Sequence, residues 1–126
     1  MSVCLEAIRE RLAVERQDPA EVFPLRTGDM MRYVPIREIL FFETSFTSHH
    51  VLLHTANSRM DFVGSLNEIE AQLGERFIRI HRAYLVSADK IDAVDFKRGR
   101  VMVSGRECLL SRAGKGKLRK KLERDP

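Results

Sequence analysis

The chain consists largely of short apolar segments separated by turn-forming residues, and this pattern limits what it can fold into. Segments such as 39–42, 59–63 and 91–96 are only four to six residues long. Typical helices need longer stretches with apolar residues three or four apart, whereas strands are this short. Residues 39–42 form a continuous apolar run that is typical of a strand buried on both faces. The sequence therefore predicts a mainly β domain.

Hairpins and helices can be placed within this pattern. Residues 22–26 and 31–34 flank a turn-rich break and predict a hairpin. Ser65 and Glu68 have the spacing of a capping box, and the apolar stripe that follows ends at Gly74, which predicts a short helix. In the C-terminal segment, leucines four apart indicate a final helix from about residue 112 to residue 122, despite two glycines.

Length and composition set the number of domains. A chain of 126 residues that is 44% hydrophobic has enough apolar material for one ordinary core but not for two. Leu5, Ile8 and Leu12 follow helical spacing and precede an Asp-Pro pair at residues 18–19, which indicates a short amphipathic helix. We therefore expect a linker helix over residues 1–20 and the domain itself over residues 21–126.

The charge is concentrated near the C-terminus. The net charge is +4, and the segment from Arg112 to Leu122 holds six basic residues and no acidic one, so the remainder of the chain is slightly acidic. A local positive field of this kind is compatible with a polyanionic partner, although many proteins carry one without binding nucleic acid.

Targeting and redox features are few. The two cysteines, Cys4 and Cys108, lie far apart and outside any metal-type spacing. Neither an apolar run long enough to cross a membrane nor a signal peptide is recognisable. These observations predict a soluble protein of the reducing cytoplasm without a membrane partner.

The sequence offers little support for catalysis or metal binding. His49, His50, His54 and His81 lack acidic or cysteine partners at ligand spacing, and no glycine-rich phosphate loop is present. We therefore expect no metal, no cofactor and no enzymatic activity, and a metal-dependent hydrolase is the least favoured alternative.

Polar and basic residues cluster in three breaks between predicted strands, at 45–50, 79–82 and 111–117. Their side chains can donate hydrogen bonds to phosphate oxygens or base edges, and the fork of an arginine matches guanine O6 and N7. Taken alone, the same pattern also describes ordinary solvated loops.

Four blocks of sequence carry a family resemblance. Residues 41–49, 62–66 and 77–86, together with Ser111 and Arg112 before the basic segment, closely resemble the LytTR family of DNA-binding domains, nearest to response regulators of the accessory-gene-regulator and competence types. The resemblance runs from about Val22 to Leu122. It implies an elongated fold of about ten strands in three small sheets with short helices, whose loops enter successive major grooves of bent DNA and read direct repeats in promoters.

The resemblance also implies contacts residue by residue. The DNA-contacting positions of the family's first loop correspond to two histidines of this chain. Those of the second loop correspond to two arginines, of which Arg82 is the expected base reader. Those of the third loop correspond to a Ser-Arg pair. Many relatives have another arginine where this chain has Ala113, so the third contact falls on Arg112 or Lys115. The implied DNA-binding residues are His49, His50, Arg79, Arg82, Ser111, Arg112, Lys115 and Lys117.

Regulation is implied only in outline. Some relatives pair two cysteines as an oxidation switch; Cys108 matches one of them, but Ile80 replaces the other, so we expect no such switch. A receiver domain usually precedes the linker, and the chain is either an excised domain or a short regulator controlled by a partner. Double-stranded DNA is the expected partner, with a weak homodimer possible on direct repeats. The alternative function is a β-rich protein-interaction module without DNA specificity.

Overall fold

The computed structural model describes residues 21–124, with side chains described as far as residue 122. The linker helix expected over residues 1–20 lies outside the described residues. The chain divides between Glu38 and Ile39 into two compact units, which are described separately below.

The described part of the first unit is a hairpin. Strands β1 (Val22–Thr27) and β2 (Met30–Pro35) pair antiparallel, with Phe23 opposite Val34, and a 3-10 turn (Ile36–Glu38) follows. A two-stranded sheet has only edge strands, so Pro24 removes no ladder hydrogen bond from a sheet interior. The predicted hairpin is confirmed.

The second unit is built on a five-stranded antiparallel sheet. Its spatial order is β5-β4-β3-β7-β6, so neighbours in the sheet are not always neighbours in sequence. The strands are β3 (Ile39–Thr44), β4 (His50–Thr55), β5 (Arg59–Val63), β6 (Phe77–His81) and β7 (Tyr84–Ser87).

Strand β3 occupies the centre of this sheet, and its first four residues are all buried. Successive side chains on a strand point to opposite faces, so Phe41 and Phe42 pack on opposite faces of the sheet. The Phe42 ring packs against Phe62 and Phe77, at centroid distances of 6.4 Å and 5.6 Å. The prediction that this run is a strand buried on both faces is confirmed.

Helix α1 (Leu66–Leu73) lies against strands β3, β6 and β7. The Ser65 side chain caps it by accepting a hydrogen bond from the Glu68 N–H at 3.2 Å. Gly74 ends it with a φ of 66°, a conformation that glycine adopts without steric cost. The helix buries Leu66, and the helix predicted from the capping box is confirmed.

The opposite side of the sheet packs against a three-stranded sheet and a C-terminal helix. The sheet has the order β10-β9-β8, from strands β8 (Ile91–Asp95), β9 (Arg100–Val103) and β10 (Arg106–Leu109). Helix α2 (Arg112–Arg124) runs beside β6 and confirms the predicted final helix. The core between these elements contains Leu40, Phe41, Ile78, Ile80, Val86, Val101, Val103, Cys108, Leu110 and Leu118.

The cysteine of this core is chemically protected. Burial raises the pKa of the Cys108 thiol to about 12, so the thiolate that reacts with oxidants is disfavoured. Residues 21–124 thus form ten strands in three small antiparallel sheets with short helices, as expected for the mainly β fold implied by the resemblance.

Candidate nucleic-acid interface

Three segments that are far apart in sequence meet at one end of the five-stranded sheet. The loop after β3 is joined to the turn after β6 by a hydrogen bond from the Thr44 N–H to the Ala83 carbonyl, at 3.1 Å. The start of α2 is joined to the same end of β6, because the Ser111 N–H donates to the Ile80 carbonyl at 2.8 Å. The structure therefore brings together the three polar segments noted in the sequence.

The first loop, residues 45–49, is held by its own hydrogen bonds. The Ser45 hydroxyl donates to Asp61 at 3.1 Å and accepts from the Thr47 N–H at 3.2 Å. The His50 N–H donates to the Thr47 carbonyl at 3.1 Å, and His49 has a φ of 64°, which turns the chain into β4. The loop therefore has a defined shape.

The two histidines of this loop differ in their surroundings. His49 is exposed, whereas His50 Nδ1 lies 2.6 Å from Asp61 Oδ1. The hydrogen bond from His50 holds the pKa of the Asp61 carboxyl below its usual range. A direct DNA contact by His50 stays a prediction, since Asp61 already engages one of its ring nitrogens. Sequence reasoning did not single out Asp61, because it lies on β5 and reaches the loop only through strand pairing.

The Arg79 side chain is largely covered by neighbouring residues of the protein. Its guanidinium donates to the carbonyls of His81 and Arg82, at 2.9 Å and 2.6 Å, and to the side chains of Asn67 and Glu70, at 2.9 Å and 3.2 Å. These bonds occupy four of its five N–H groups, and its side chain is only 16% exposed. Arg79 is therefore placed to hold the second loop in shape, and its own contact with DNA stays a prediction.

The second loop presents His81 and Arg82. The Ala83 N–H donates to His81 Nδ1 at 3.0 Å, so the neutral ring carries its proton on Nε2. Burial, with help from the charges of Arg82 and Arg79, lowers the pKa of His81 and favours this neutral form. Arg82 is exposed, and its guanidinium makes no hydrogen bond or ion pair with the side chains described for residues 21–122.

The third segment is the beginning of α2, so it lies on the predicted final helix rather than in a break between two strands. The Ser111 hydroxyl accepts from the Gly114 N–H at 3.0 Å, as a helix N-cap does, and donates to the Ile80 carbonyl at 3.2 Å. Ser111 is therefore engaged within the protein, and a DNA contact by its hydroxyl stays a prediction. Arg112 is exposed on the first helical turn.

The basic residues of α2 do not all face one surface. Lys117 lies 3.9 Å from Glu70, on the side of α1. Arg119 lies over the ring of Phe96, 4.8 Å from its centroid. Lys115 is partly buried. The segment that sequence analysis treated as one positive patch is thus divided around a helix, and only part of it can meet a single partner.

An open cleft of about 430 Å³ separates the second loop from α2. Glu70 is the acidic residue that lines this cleft, and its carboxylate forms ion pairs with Arg79 and Lys117. The sequence pattern did not identify Asn67 or Glu70 as parts of this site, although the capping box placed the helix that carries them. His81 lies in the polar segment 79–82 that the sequence pattern singled out, but it was not among the implied DNA-binding residues. The lining residues are Asn67, Glu70, Arg79, His81, Arg82, Ser111, Ala113, Gly114 and Lys117.

The histidines do not assemble a metal centre in the described range. Among the side chains described for residues 21–122, no three of His, Cys, Asp or Glu lie close enough together to hold a metal ion. His54 is instead buried, and its Nε2 lies 2.6 Å from Glu43 Oε1. Within the same range, no helix has the length and apolar character needed to cross a membrane.

Comparison with known proteins identifies the family. Residues 29–123 match the LytTr DNA-binding domain. The chain belongs to the LytTR family of DNA-binding domains. The resemblance seen in the sequence is therefore confirmed, and the loop-bearing end of the sheet belongs to a DNA-binding domain.

The relatives of this LytTR domain include regulators of known name. Accessory gene regulator protein A of Staphylococcus epidermidis is 34% identical over 110 residues, which cover 86% of this chain and 46% of that protein. The Staphylococcus aureus protein of the same name is 34% identical over 105 residues, covering 82% and 44%. The chain thus spans about half the length of these relatives.

A solved structure supports the fold independently. A LytTr DNA-binding domain from Bacillus cereus superposes with a TM-score of 0.68 at 24% identity, over 81% of this chain and 96% of that one. At this level of identity the likeness concerns the architecture, and it agrees with the three small sheets described above.

Proposed function

We propose that this LytTR domain binds specific sites in duplex DNA as the output domain of a bacterial transcription regulator. The observation that carries the proposal is the pair of hydrogen bonds, Thr44 to Ala83 and Ser111 to Ile80, that brings three donor-rich segments to one end of the sheet. A B-DNA major groove is about 12 Å wide and admits an element of this size, and it shows a different pattern of donors and acceptors for every base pair.

The residues at this end divide into readers and supports. Arg82 is exposed and without a protein partner in the described range, so it is our proposed base reader, with His49 on the first loop beside it. Arg112, Lys115 and Lys117 supply charge to phosphates.

The remaining expected contacts act from inside the protein. Arg79 shapes the second loop through its four hydrogen bonds, Ser111 caps α2, and His50 braces the first loop against Asp61. Side chains held in this way keep the readers in a productive geometry, which is the usual division of labour in a binding site.

The wider setting is also proposed. The named relatives are about twice as long as this chain, which leaves room for a receiver domain joined through the segment 1–20. We propose a cytoplasmic response regulator of a two-component system that reads direct repeats, with weak association between neighbouring copies on DNA. The domain itself needs no metal or cofactor and performs no catalysis under this proposal.

The proposal is tested by selecting duplexes from a random library with the purified chain and measuring affinity at several salt concentrations. We expect one enriched site, and a slope in log K against log salt of about −0.9 for each phosphate neutralised. Lys117→Ala should weaken enriched and scrambled duplexes alike and reduce the slope by about one.

A chain that enriches no sequence, and that binds all duplexes equally at low salt, would contradict the proposal. That result would favour the protein-interaction module without DNA specificity, since the basic segment would then attract any duplex equally.

A further inference from the structure

Phe46 stands out among the apolar side chains of the described residues. Its relative exposure is 110%, whereas the other exposed large hydrophobic residues lie between 38% and 72%. It lies in the first loop, between Ser45 and Thr47, in a segment that is otherwise polar. Isolated apolar residues on a surface are common, so exposure alone does not assign a role.

The loop that carries Phe46 is shaped so that the ring stays outside. The Ser45 N–H donates to the His50 carbonyl at 3.1 Å, and the His50 N–H donates to the Thr47 carbonyl at 3.1 Å. The Ser45 hydroxyl is tied to Asp61 on β5. These bonds hold the loop backbone on both sides of Phe46 in the conformation in which the ring is exposed.

The position of the loop indicates what the ring meets. Thr44, two residues before Phe46, is hydrogen-bonded to Ala83, which follows the proposed base reader Arg82. His49, at the other end of the loop, is exposed. The ring therefore belongs to a loop that also carries the exposed His49 and that is joined by a hydrogen bond to the loop of Arg82. Both His49 and Arg82 can donate hydrogen bonds to base edges.

We propose that Phe46 is a specificity-determining residue that contacts the C5-methyl group of thymine in the major groove. This inference rests on the proposed function. In the major groove, the thymine methyl is the apolar group of the base edges, and contact with it distinguishes thymine from the other bases. A ring already exposed in the free protein loses unfavourable contact with water when it covers a methyl group.

The major groove suits this loop better than the minor groove. The minor groove is about 6 Å wide and presents no methyl group, and apolar side chains that enter it act as wedges between base steps. Phe46 is instead followed by Thr47 and Ser48, whose hydroxyl groups fit a surface that mixes methyl groups with hydrogen-bond acceptors.

The test removes single methyl groups from DNA. Starting from the enriched site, each thymine is replaced in turn by deoxyuridine, which lacks only the C5-methyl, and dissociation constants are measured for wild type, Phe46→Ala and Tyr33→Ala. Tyr33 is an exposed aromatic on the hairpin of the other unit and serves as the matched control. Thermal unfolding checks that each variant is folded.

We expect one or two thymines at which deoxyuridine weakens wild-type binding about 3- to 10-fold, as burial of one methyl group implies. Tyr33→Ala should keep this penalty. Phe46→Ala should bind the thymine and deoxyuridine duplexes equally, because the group that senses the methyl is gone.

Several results would overturn the inference. Wild type could tolerate deoxyuridine at every position, or Phe46→Ala could retain the penalty. If Phe46→Ala weakened binding to the thymine and deoxyuridine duplexes by the same factor relative to wild type, the ring would be assigned to a contact other than a methyl. Unchanged binding to a single half-site, with weaker binding only to paired half-sites, would assign it to a contact between copies of the chain.

Failure of this inference can be told apart from failure of the proposed function. If only the inference is wrong, the enriched site is still preferred over its scrambled form. If no sequence is enriched at all, both proposals are overturned together.

Discussion

Among single residues, His54 shows how closely the fold can control an ionisable side chain. His54 Nε2 lies 2.6 Å from Glu43 Oε1, and its Nδ1 lies 3.2 Å from Arg106 Nη1. The Phe41 ring stacks on it at a centroid distance of 4.3 Å. An arginine can only donate, so His54 Nδ1 must accept and the proton must sit on Nε2, facing Glu43. A second proton would displace Arg106.

The pH dependence of stability follows from this arrangement. Burial lowers the pKa of His54, with Arg106 and Arg59 acting in the same direction and Glu43 opposing it. The folded state therefore binds the proton less readily than the unfolded chain, whose histidine pKa is about 6.5. Stability from this residue is present above pH 6.5 and is lost as the pH falls from there toward the folded-state pKa.

We accordingly expect the free energy of unfolding to fall between pH 7.5 and pH 5.5, and to fall less in His54→Gln. Urea unfolding at the two pH values measures it. His81 has a lowered pKa as well, so the variant should retain part of the dependence. An unchanged pH dependence in His54→Gln would show that this residue does not couple protonation to folding.

At the level of elements, the contact between α2 and β6 depends on one glycine. A Cβ atom at Gly114 would lie 2.1 Å from the Ile80 carbonyl oxygen, so the helix could not approach the strand as it does. At Gly116, two residues further along the same helix, a Cβ atom would meet nothing within 4 Å. The two positions therefore form a matched pair.

The pair predicts opposite effects on stability. Gly116→Ala should stabilise the domain by up to about 1 kcal/mol, because alanine is the better helix former. Gly114→Ala should destabilise it by about 1–3 kcal/mol, since overpacking outweighs the same gain in propensity. Chemical denaturation of both variants measures the difference, and similar stabilities for the two would contradict the close approach.

Elements were predictable from the sequence where local signals determine them. The apolar run 39–42, the capping box at Ser65 and the hairpin from 22 to 34 all depend on neighbouring residues, and the structure confirms them. The helical nature of the third polar segment was less clear, because glycine at 114 and 116 disfavours a helix. The reason for one of them is a tertiary contact that no local pattern reveals.

At the scale of the whole molecule, the candidate site depends on the order of strands in the sheet. β3 pairs with β7, and this pairing places the first loop beside the second. Nothing in the residues themselves specifies such a pairing, so the grouping of the three segments was available only through the family resemblance. The internal roles of Arg79 and Ser111 could not be predicted either. An arginine or serine can donate to a DNA phosphate or to a carbonyl of its own chain, and the residue type does not tell which.

The central claim is that the loop-bearing end of the five-stranded sheet reads DNA. Two arginines at opposite ends of this sheet provide the test. Arg82 lies in the second loop, while Arg59 begins β5 at the far end of β4 from the first loop. Both are exposed. Exchanging each for alanine removes the same side chain from the two ends of one sheet.

The deciding measurement is the affinity of wild type, Arg82→Ala and Arg59→Ala for the enriched duplex and for its scrambled form, with folding checked for each. We predict that Arg82→Ala loses about 1–3 kcal/mol on the enriched duplex and much less on the scrambled one, as expected when a base contact is removed. Arg59→Ala should bind both duplexes as wild type does. Equal losses for the two variants, or an equal loss on both duplexes for Arg82→Ala, would contradict the claim.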